Sequence, residues 1–199
     1  MFTGIIKAIG CVDDLQRQED QARFVFSTGA LDLSKSELGD SIAVNGVCLT
    51  LTKINNKNFI ADLSRETLKN TTFSELSVGD PINIEPALVL GDSLDGHLVS
   101  GHVDAVGKVL SVNKDGESLL IDIDIPNGIS HYIARKGSIC VDGVSLTVNG
   151  ITEQSFTLTI VPHTLESTII SNYRVGTKVN LEVDIIARYL ERFGQSAEN

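Results

Sequence analysis

Three side chains in this sequence have types and settings suited to chemistry: Cys48, Ser145 and His102. A thiol can attack a carbon centre when a neighbouring base or a lowered pKa supplies the thiolate. A serine hydroxyl can position a substrate. A histidine, whose ordinary pKa lies near neutrality, can take and return a proton. Each has a plainer alternative, since free cysteine is most often a small buried hydrophobe and a single histidine is usually structural. The segment Gly96-His97-Leu98-Val99-Ser100-Gly101-His102 also raises a metal pair. Its spacing argues against one: five residues apart, two imidazoles fall on opposite faces of a strand and well apart around a helix, and no cysteine is close in sequence. No Ser-His-Asp order, P-loop or G-x-G-x-x-G follows a predicted strand.

What singles these residues out is an internal repeat. Val44-Asn45-Gly46-Val47-Cys48-Leu49-Thr50 returns 97 residues later as Val141-Asp142-Gly143-Val144-Ser145-Leu146-Thr147. The same offset maps Gly4 to Gly101, Ala8 to Ala105, Gly10 to Gly107, Thr67-Leu68 to Thr164-Leu165, Val78-Gly79 to Val175-Gly176 and Glu85 to Glu182. That is a tandem duplication of one small domain, too long in period for a solenoid. The copies disagree where Cys48 faces Ser145 and Ile5 faces His102. The expected organisation is an N-terminal domain over 1–97, a C-terminal domain over 98–184 and a tail over 185–199.

Short β-branched runs punctuated by turn residues occupy 41–44, 47–54, 58–63, 82–85, 103–110, 118–125, 138–141, 144–148, 155–161 and 178–183. This pattern predicts an all-β fold of barrels or sandwiches. A short helix or turn is expected at 65–76 and 162–173, and in matching places at 30–38 and 127–135. Asn45-Gly46 and Asp142-Gly143 predict two-residue hairpins, because a type I′ turn needs positive φ at both central positions. Such turns set Val44 against Val47, Ala43 against Cys48 and Ser41 against Thr50, with Cys140 across from Ser145. Strand alternation then gives each hairpin an aliphatic face (Val47, Leu49, Leu51; Val144, Leu146, Val148) and a face of small polar groups (Cys48, Thr50, Thr52; Ser145, Thr147, Asn149). In the tail, Ile185, Ile186, Tyr189, Leu190 and Phe193 recur at helical spacing, with Asp184 as N-cap and Gly194 as C′ residue. So short a helix must dock on something.

A net charge of −10 disfavours nucleic acid and anionic membranes as partners. Three cysteines, Cys11, Cys48 and Cys140, form no framework and predict reduced thiols in a cytoplasmic protein. The first residues lack a leader pattern, and no run approaches the ~18 apolar residues of a membrane span.

Met1-Phe2-Thr3-Gly4-Ile5, Val44 through Thr50, Arg65-Glu66-Thr67-Leu68, Gly96 through His102 and Asp142 through Val148 together resemble the riboflavin synthases of the α-chain type. The resemblance spans the duplication and the tail. It implies two closed Greek-key barrels and a C-terminal helix that forms a homotrimer. It also implies dismutation of two molecules of 6,7-dimethyl-8-ribityllumazine to riboflavin and 5-amino-6-ribitylaminouracil, without cofactor or metal. Association with lumazine synthase is a further partner it raises. Carried over by position, an N-barrel site uses Phe2, Thr3, Gly4, Ile5, Ile6, Ser41, Cys48, Leu49, Thr50, Asp62, Leu63, Ser64, Arg65, Glu66 and Thr67. A C-barrel site uses Gly101, His102, Val103, Asp142, Ser145, Leu146, Thr147, Ile160, Val161, Pro162, His163, Thr164 and Asp184, and Lys136 reaches across the interface. Cys48, His102 and Ser145 are then the expected catalytic residues. Two departures from the family pattern are Asp95, where glycine is commoner, and His163, where many relatives carry glutamate. The rival expectations are a non-catalytic lumazine-binding antenna protein, which departs at the reactive positions kept here, and a flavin-binding barrel of an oxidoreductase, which would need an α/β nicotinamide domain.

Overall fold

A computed structural model describes residues 1–19, 21–55 and 57–197. The first repeat forms β1 (Ala8–Arg17), β2 (Gln21–Ser27), β3 (Ser41–Val44), β4 (Val47–Thr50), β5 (Lys53–Ile54), β6 (Asn58–Ser64) and β7 (Pro81–Pro86), with helix α1 (Arg65–Asn70) after β6. The second forms β8 (Ala105–Asp115), β9 (Ser118–Asp124), β10 (Ser138–Val141), β11 (Val144–Ile151), β12 (Ser155–Ile160) and β13 (Lys178–Val183), with α2 (Pro162–Ser167) after β12 and α3 (Ile185–Ala197) at the end. All strand pairs are antiparallel. The second repeat closes as a barrel in the order β10-β11-β12-β9-β8-β13. The first has the order β4-β3-β7-β1-β2-β6-β5, and its end strands β4 and β5 are consecutive in the chain. Where β11 runs unbroken, the first repeat bends at Leu51-Thr52, and the Thr52 N–H bonds the Ile60 carbonyl at 2.9 Å to carry the pairing on.

The hairpins form as predicted. Asn45 and Gly46 have φ of 45° and 76°, and Asp142 and Gly143 have 44° and 83°. Val44 pairs with Val47, Ala43 with Cys48 and Ser41 with Thr50, and Cys140 pairs with Ser145. Val47, Leu49 and Leu51 are buried in an apolar core with four phenylalanines, Phe24, Phe26, Phe59 and Phe73. Val144 and Val148 join the core of the second barrel.

The two hairpin turns meet on a pseudo-twofold axis. Gly46 and Gly143 lie so close that a Cβ on Gly46 would sit 2.6 Å from the Gly143 nitrogen. Around them Asn83 Nδ2 donates to the Asp142 carbonyl at 2.8 Å, and Asn180 Nδ2 donates to the Asn45 carbonyl at 2.9 Å. Asn83 Oδ1 accepts the Ile169 N–H and Asn180 Oδ1 accepts the Thr72 N–H, both at 2.8 Å. Each barrel thus supplies the buried hydrogen-bond partners of the other, which a seam closed to water requires.

Of the local expectations, one changes, at Gly194. Residues 127–135 hold a 3-10 turn at Ser130–Tyr132, and 30–38 form turns. Asp184 does cap α3, its carboxylate accepting the Ile186 N–H at 2.9 Å. Gly194 does not end the helix, which runs on to Ala197. No helix among the described residues is long and apolar enough to cross a membrane.

Candidate functional site

The N-terminal strap, residues 1–7, and its counterpart ahead of β8 run antiparallel between the barrels. Phe2 and Val99 exchange backbone hydrogen bonds of 2.8 and 3.1 Å. Each strap is gripped by one buried carboxylate. Glu85 accepts from the Thr3 N–H and hydroxyl, each at 2.7 Å, and from the Gly4 N–H at 3.0 Å. Glu182 accepts from the Ser100 N–H and hydroxyl, each at 2.6 Å, from the Gly101 N–H at 2.9 Å and from the His102 N–H at 3.0 Å. Burial raises the Glu85 pKa, and the bonds from Thr3 and Gly4 pull it back.

Pairing with one another carries each strap across the pseudo-axis. The Cys48 N–H, which points away from β3, bonds the Gly101 carbonyl at 2.9 Å, and the Ser145 N–H bonds the Gly4 carbonyl at 2.8 Å. An edge strand's unpaired N–H is a ready partner for such a segment. The expected site membership is therefore corrected. Gly101, His102 and Val103 line a cleft of about 240 Å³ on the first barrel together with Cys48, Glu66 and Thr67. Gly4 lies instead against Ser145 on the second barrel, where Ile6 packs on the core. Cys48 and His102 share one half-site, and Ser145 and Ile5 belong to the other.

Both half-sites lie on the outer surface of the barrels. Cys48, Thr50, Asp62 and Ser64 all point outward from β4 and β6, as do Ser145 and Thr147 from β11. Asp62 forms a two-pronged pair with Arg23 at 2.7 and 2.9 Å, and Ser64 caps α1 through the Thr67 N–H at 3.2 Å. Arg65, Glu66 and Thr67 open α1, while Val161, Pro162, His163 and Thr164 form the matching entry to α2. Leu49 lies in the core as strand alternation predicts, and the side chains of Leu63 and Ile160 are likewise turned inward, leaving only the backbone of these three to face a ligand. Leu146 packs on the second core as well.

Five further expected residues are placed as follows. Phe2 is fully buried between the straps, beside Val99, Ala43 and Cys140, and closes behind Gly101. Thr3 is spent on Glu85. Asp142 lies in the seam rather than in the Cys48 cleft. Its carboxylate accepts the Asn180 N–H at 2.8 Å and the Tyr173 hydroxyl at 2.5 Å, and burial pushes its pKa up to about 7. Ser41 pairs with Thr50, and its carbonyl accepts the Ala87 N–H at 3.2 Å. Lys136 is exposed with φ of 67° at the position where the first repeat has Gly39, an unusual conformation for a side-chain-bearing residue. Burial pushes the Cys140 thiol well up, so it is inert, and all three cysteines are free.

His97 was not expected at the site. Its Nδ1 lies 2.6 Å from Ser145 Oγ, while Nε2 is buried with no hydrogen-bond partner among the described residues. Burial lowers its pKa, against a weaker opposing pull from Asp184. Its counterpart at the 97-residue offset falls before residue 1, so the repeat comparison could not single it out. The two glutamates could have been found: each is the one charged residue of a short segment kept in both copies, Ile-Asn-Ile-Glu and Val-Asn-Leu-Glu. Among the described residues, no group of three His, Cys, Asp or Glu side chains could hold a metal ion.

Comparison with known proteins recovers the duplication. Residues 3–87 and 100–184 each match the lumazine binding domain family. The chain is 46% identical over 192 residues to the riboflavin synthase of Photobacterium phosphoreum, spanning 96% of this chain and 88% of that protein. It is 41% identical over 201 residues to that of Mycobacterium bovis, spanning 99% of this chain and 100% of the relative. It is 37% identical to that of Bacillus subtilis, spanning 97% and 89%. The crystal structure of LumP complexed with riboflavin superposes with a TM-score of 0.86 at 25% identity, covering 92% of this chain and 99% of LumP.

Proposed function

Because this chain belongs to the riboflavin synthase family, we propose that it is a riboflavin-forming enzyme, a transferase that passes a four-carbon unit between two molecules of 6,7-dimethyl-8-ribityllumazine to give riboflavin and 5-amino-6-ribitylaminouracil. The observation that carries this reading is the pair of related but unequal half-sites, one with Cys48 and His102 and the other with Ser145 backed by His97. Two copies of one substrate suit two copies of one binding surface. Holding both in register replaces a bimolecular encounter with an effectively unimolecular one.

The reaction is asymmetric although the reactants are identical. One lumazine must lose a proton from its 7-methyl group and act as a carbon nucleophile. The other must accept a nucleophile at C7 and give up its four-carbon unit. His102 moves the proton, and Cys48 adds at C7 or orients the neighbouring ring. Ser145, Thr147 and Thr50 are positioning hydroxyls. The strap exchange supports a sharper division than the repeat alone, since both reactive side chains fall on one half-site.

Helix α3 supports a homotrimer in which the N-terminal barrel of one subunit faces the C-terminal barrel of the next. Its Ile186, Tyr189, Leu190 and Phe193 are 59%, 60%, 66% and 70% exposed, a stripe that a second copy would cover. Lys136 then reaches a lumazine across that interface. Three free thiols fit a cytoplasmic enzyme.

The test is incubation of the purified protein with dimethylribityllumazine while following the riboflavin absorbance band. Steady growth is expected. Stable stoichiometric fluorescence without turnover would identify an antenna protein instead. Unchanged single-turnover rate in His102→Gln would refute the proton-transfer role, and full turnover in Cys48→Ser would exclude a covalent step.

A further inference from the structure

Helix α3 is fastened to the second barrel by polar contacts, and one of them reaches the strap that carries His102. The Arg188 guanidinium lies 2.6 Å from Asp104 Oδ1 and donates to the His102 main-chain carbonyl at 3.2 Å. The other oxygen of Asp104 accepts the Val183 N–H at 2.8 Å. Asp104 is largely buried, with 14% of its side chain exposed, so this ion pair is shielded more than a surface pair. His102 is therefore held on both sides of its backbone: Glu182 takes its N–H and Arg188 takes its carbonyl.

The first strap has no such clamp. At the 97-residue offset Asp104 becomes Lys7, Val183 becomes Pro86 and Arg188 becomes Gly91. Lys7 cannot accept a hydrogen bond, Pro86 has no N–H and Gly91 has no side chain. The clamp is built only on the strap with an imidazole, not on the one with Ile5. Nor is it the sole anchor of α3, because Glu191 pairs with His131 at 3.0 Å and accepts the Tyr132 hydroxyl.

We propose that Arg188, with Asp104, is a positioning residue for the reaction: it fixes the His102 carbonyl and so aims the imidazole over the Cys48 cleft, coupling the docking of α3 to the geometry of that half-site. This rests on the synthase reading above. A single guanidinium nitrogen, Nη2, makes both contacts, one N–H toward the carboxylate and the other toward the carbonyl, in directions that the rigid planar group fixes and a freely rotating ammonium does not. Arg188 is not among the residues that line the Cys48 cleft, so ground-state binding is spared while the reacting geometry is not.

The experiment measures steady-state kcat and KM for lumazine in the full-length wild type, Arg188→Met, Arg188→Lys and Glu191→Gln, with thermal melting and sedimentation of each. If the wild type forms no riboflavin, the synthase reading fails whatever the variants do. Given wild-type turnover, Arg188→Met is expected to lower kcat about tenfold with KM within about twofold, the pattern of an interaction realised in the transition state. Arg188→Lys should recover part of the loss, and Glu191→Gln, which weakens the other anchor, should keep wild-type kcat. Wild-type kcat in Arg188→Met, an equal loss in Glu191→Gln, or a change confined to KM would each overturn the proposal. Should Arg188→Met not fold, Arg188→Lys decides: lowered kcat at unchanged KM and melting temperature supports the clamp, and wild-type kcat refutes it.

Discussion

Gly101→Ala tests the strap exchange at its tightest point. Gly101 has φ of 81°, and a Cβ there would stand 2.5 Å from Cys48 Cβ, 2.9 Å from the Cys48 nitrogen and 3.0 Å from Phe2 Cε2. Two costs add. An alanine in the left-handed region costs about 1–2 kcal/mol. The strap must also move off β4, which breaks the bond from the Cys48 N–H to the Gly101 carbonyl and leaves a part-buried amide unpaired, about 1–3 kcal/mol. The total is about 2–5 kcal/mol. Gly116→Ala is the matched control, because Gly116 has φ of 62° and nothing within 4 Å of a Cβ, so only the conformational cost applies. The difference, about 1–3 kcal/mol, corresponds to a gap in Tm of about 2–12 °C for a chain of this size. Differential scanning calorimetry measures it, and turnover should fall in Gly101→Ala alone because His102 shifts with its neighbour. Equal melting temperatures for the two variants, with equal turnover, would refute the packing of the second strap against the first barrel.

The other expectations follow the same geometry. Glu182→Gln replaces one acceptor oxygen with an amide that faces N–H donors; it should weaken ligand binding at the Cys48 half-site, on the other barrel, more than at the Ser145 half-site, as read by flavin fluorescence titration of each, and the reverse ranking would undo the exchange. The Asp142 carboxyl is pushed up to about 7 by burial, from an ordinary value of 3.8. A raised pKa means the fold favours the neutral acid, so its contribution is complete below pH about 4 and is lost as pH rises toward 7. Asp142→Asn, neutral throughout, should therefore gain stability relative to wild type between pH 5 and pH 8 in urea titrations; the same difference at both pH values would show that this carboxyl does not titrate there. Leu190→Asp on the exposed stripe of α3 should give monomers by sedimentation velocity, and an unchanged sedimentation coefficient would remove α3 from the subunit contact.

Much of this architecture is written in short stretches of sequence. Asn45-Gly46 and Asp142-Gly143 specify their turns because few other residues accept two successive positive φ values, and the turn fixes the register of Cys48 and Ser145. The period of two assigns Leu49 to the core and Cys48 to the outer face, and helical spacing gives the stripe of α3. These depend on neighbours a few residues apart, so the sequence alone determined them. Site membership was decided only in three dimensions. The offset assigned Gly4 and Ile5 to the first copy and Gly101 and His102 to the second, as if each strap served its own barrel. Nothing local says which free strand edge a glycine-bearing strap will meet. The partners are 53 residues apart for Cys48 and Gly101 and 141 apart for Gly4 and Ser145. Pairing of the straps with each other, through Phe2 and Val99, sets them between the barrels and hands each to the opposite hairpin. The same holds for His97 beside Ser145 and Arg188 beside His102, contacts made by residues far apart in the chain that only the tertiary fold brings within hydrogen-bonding distance.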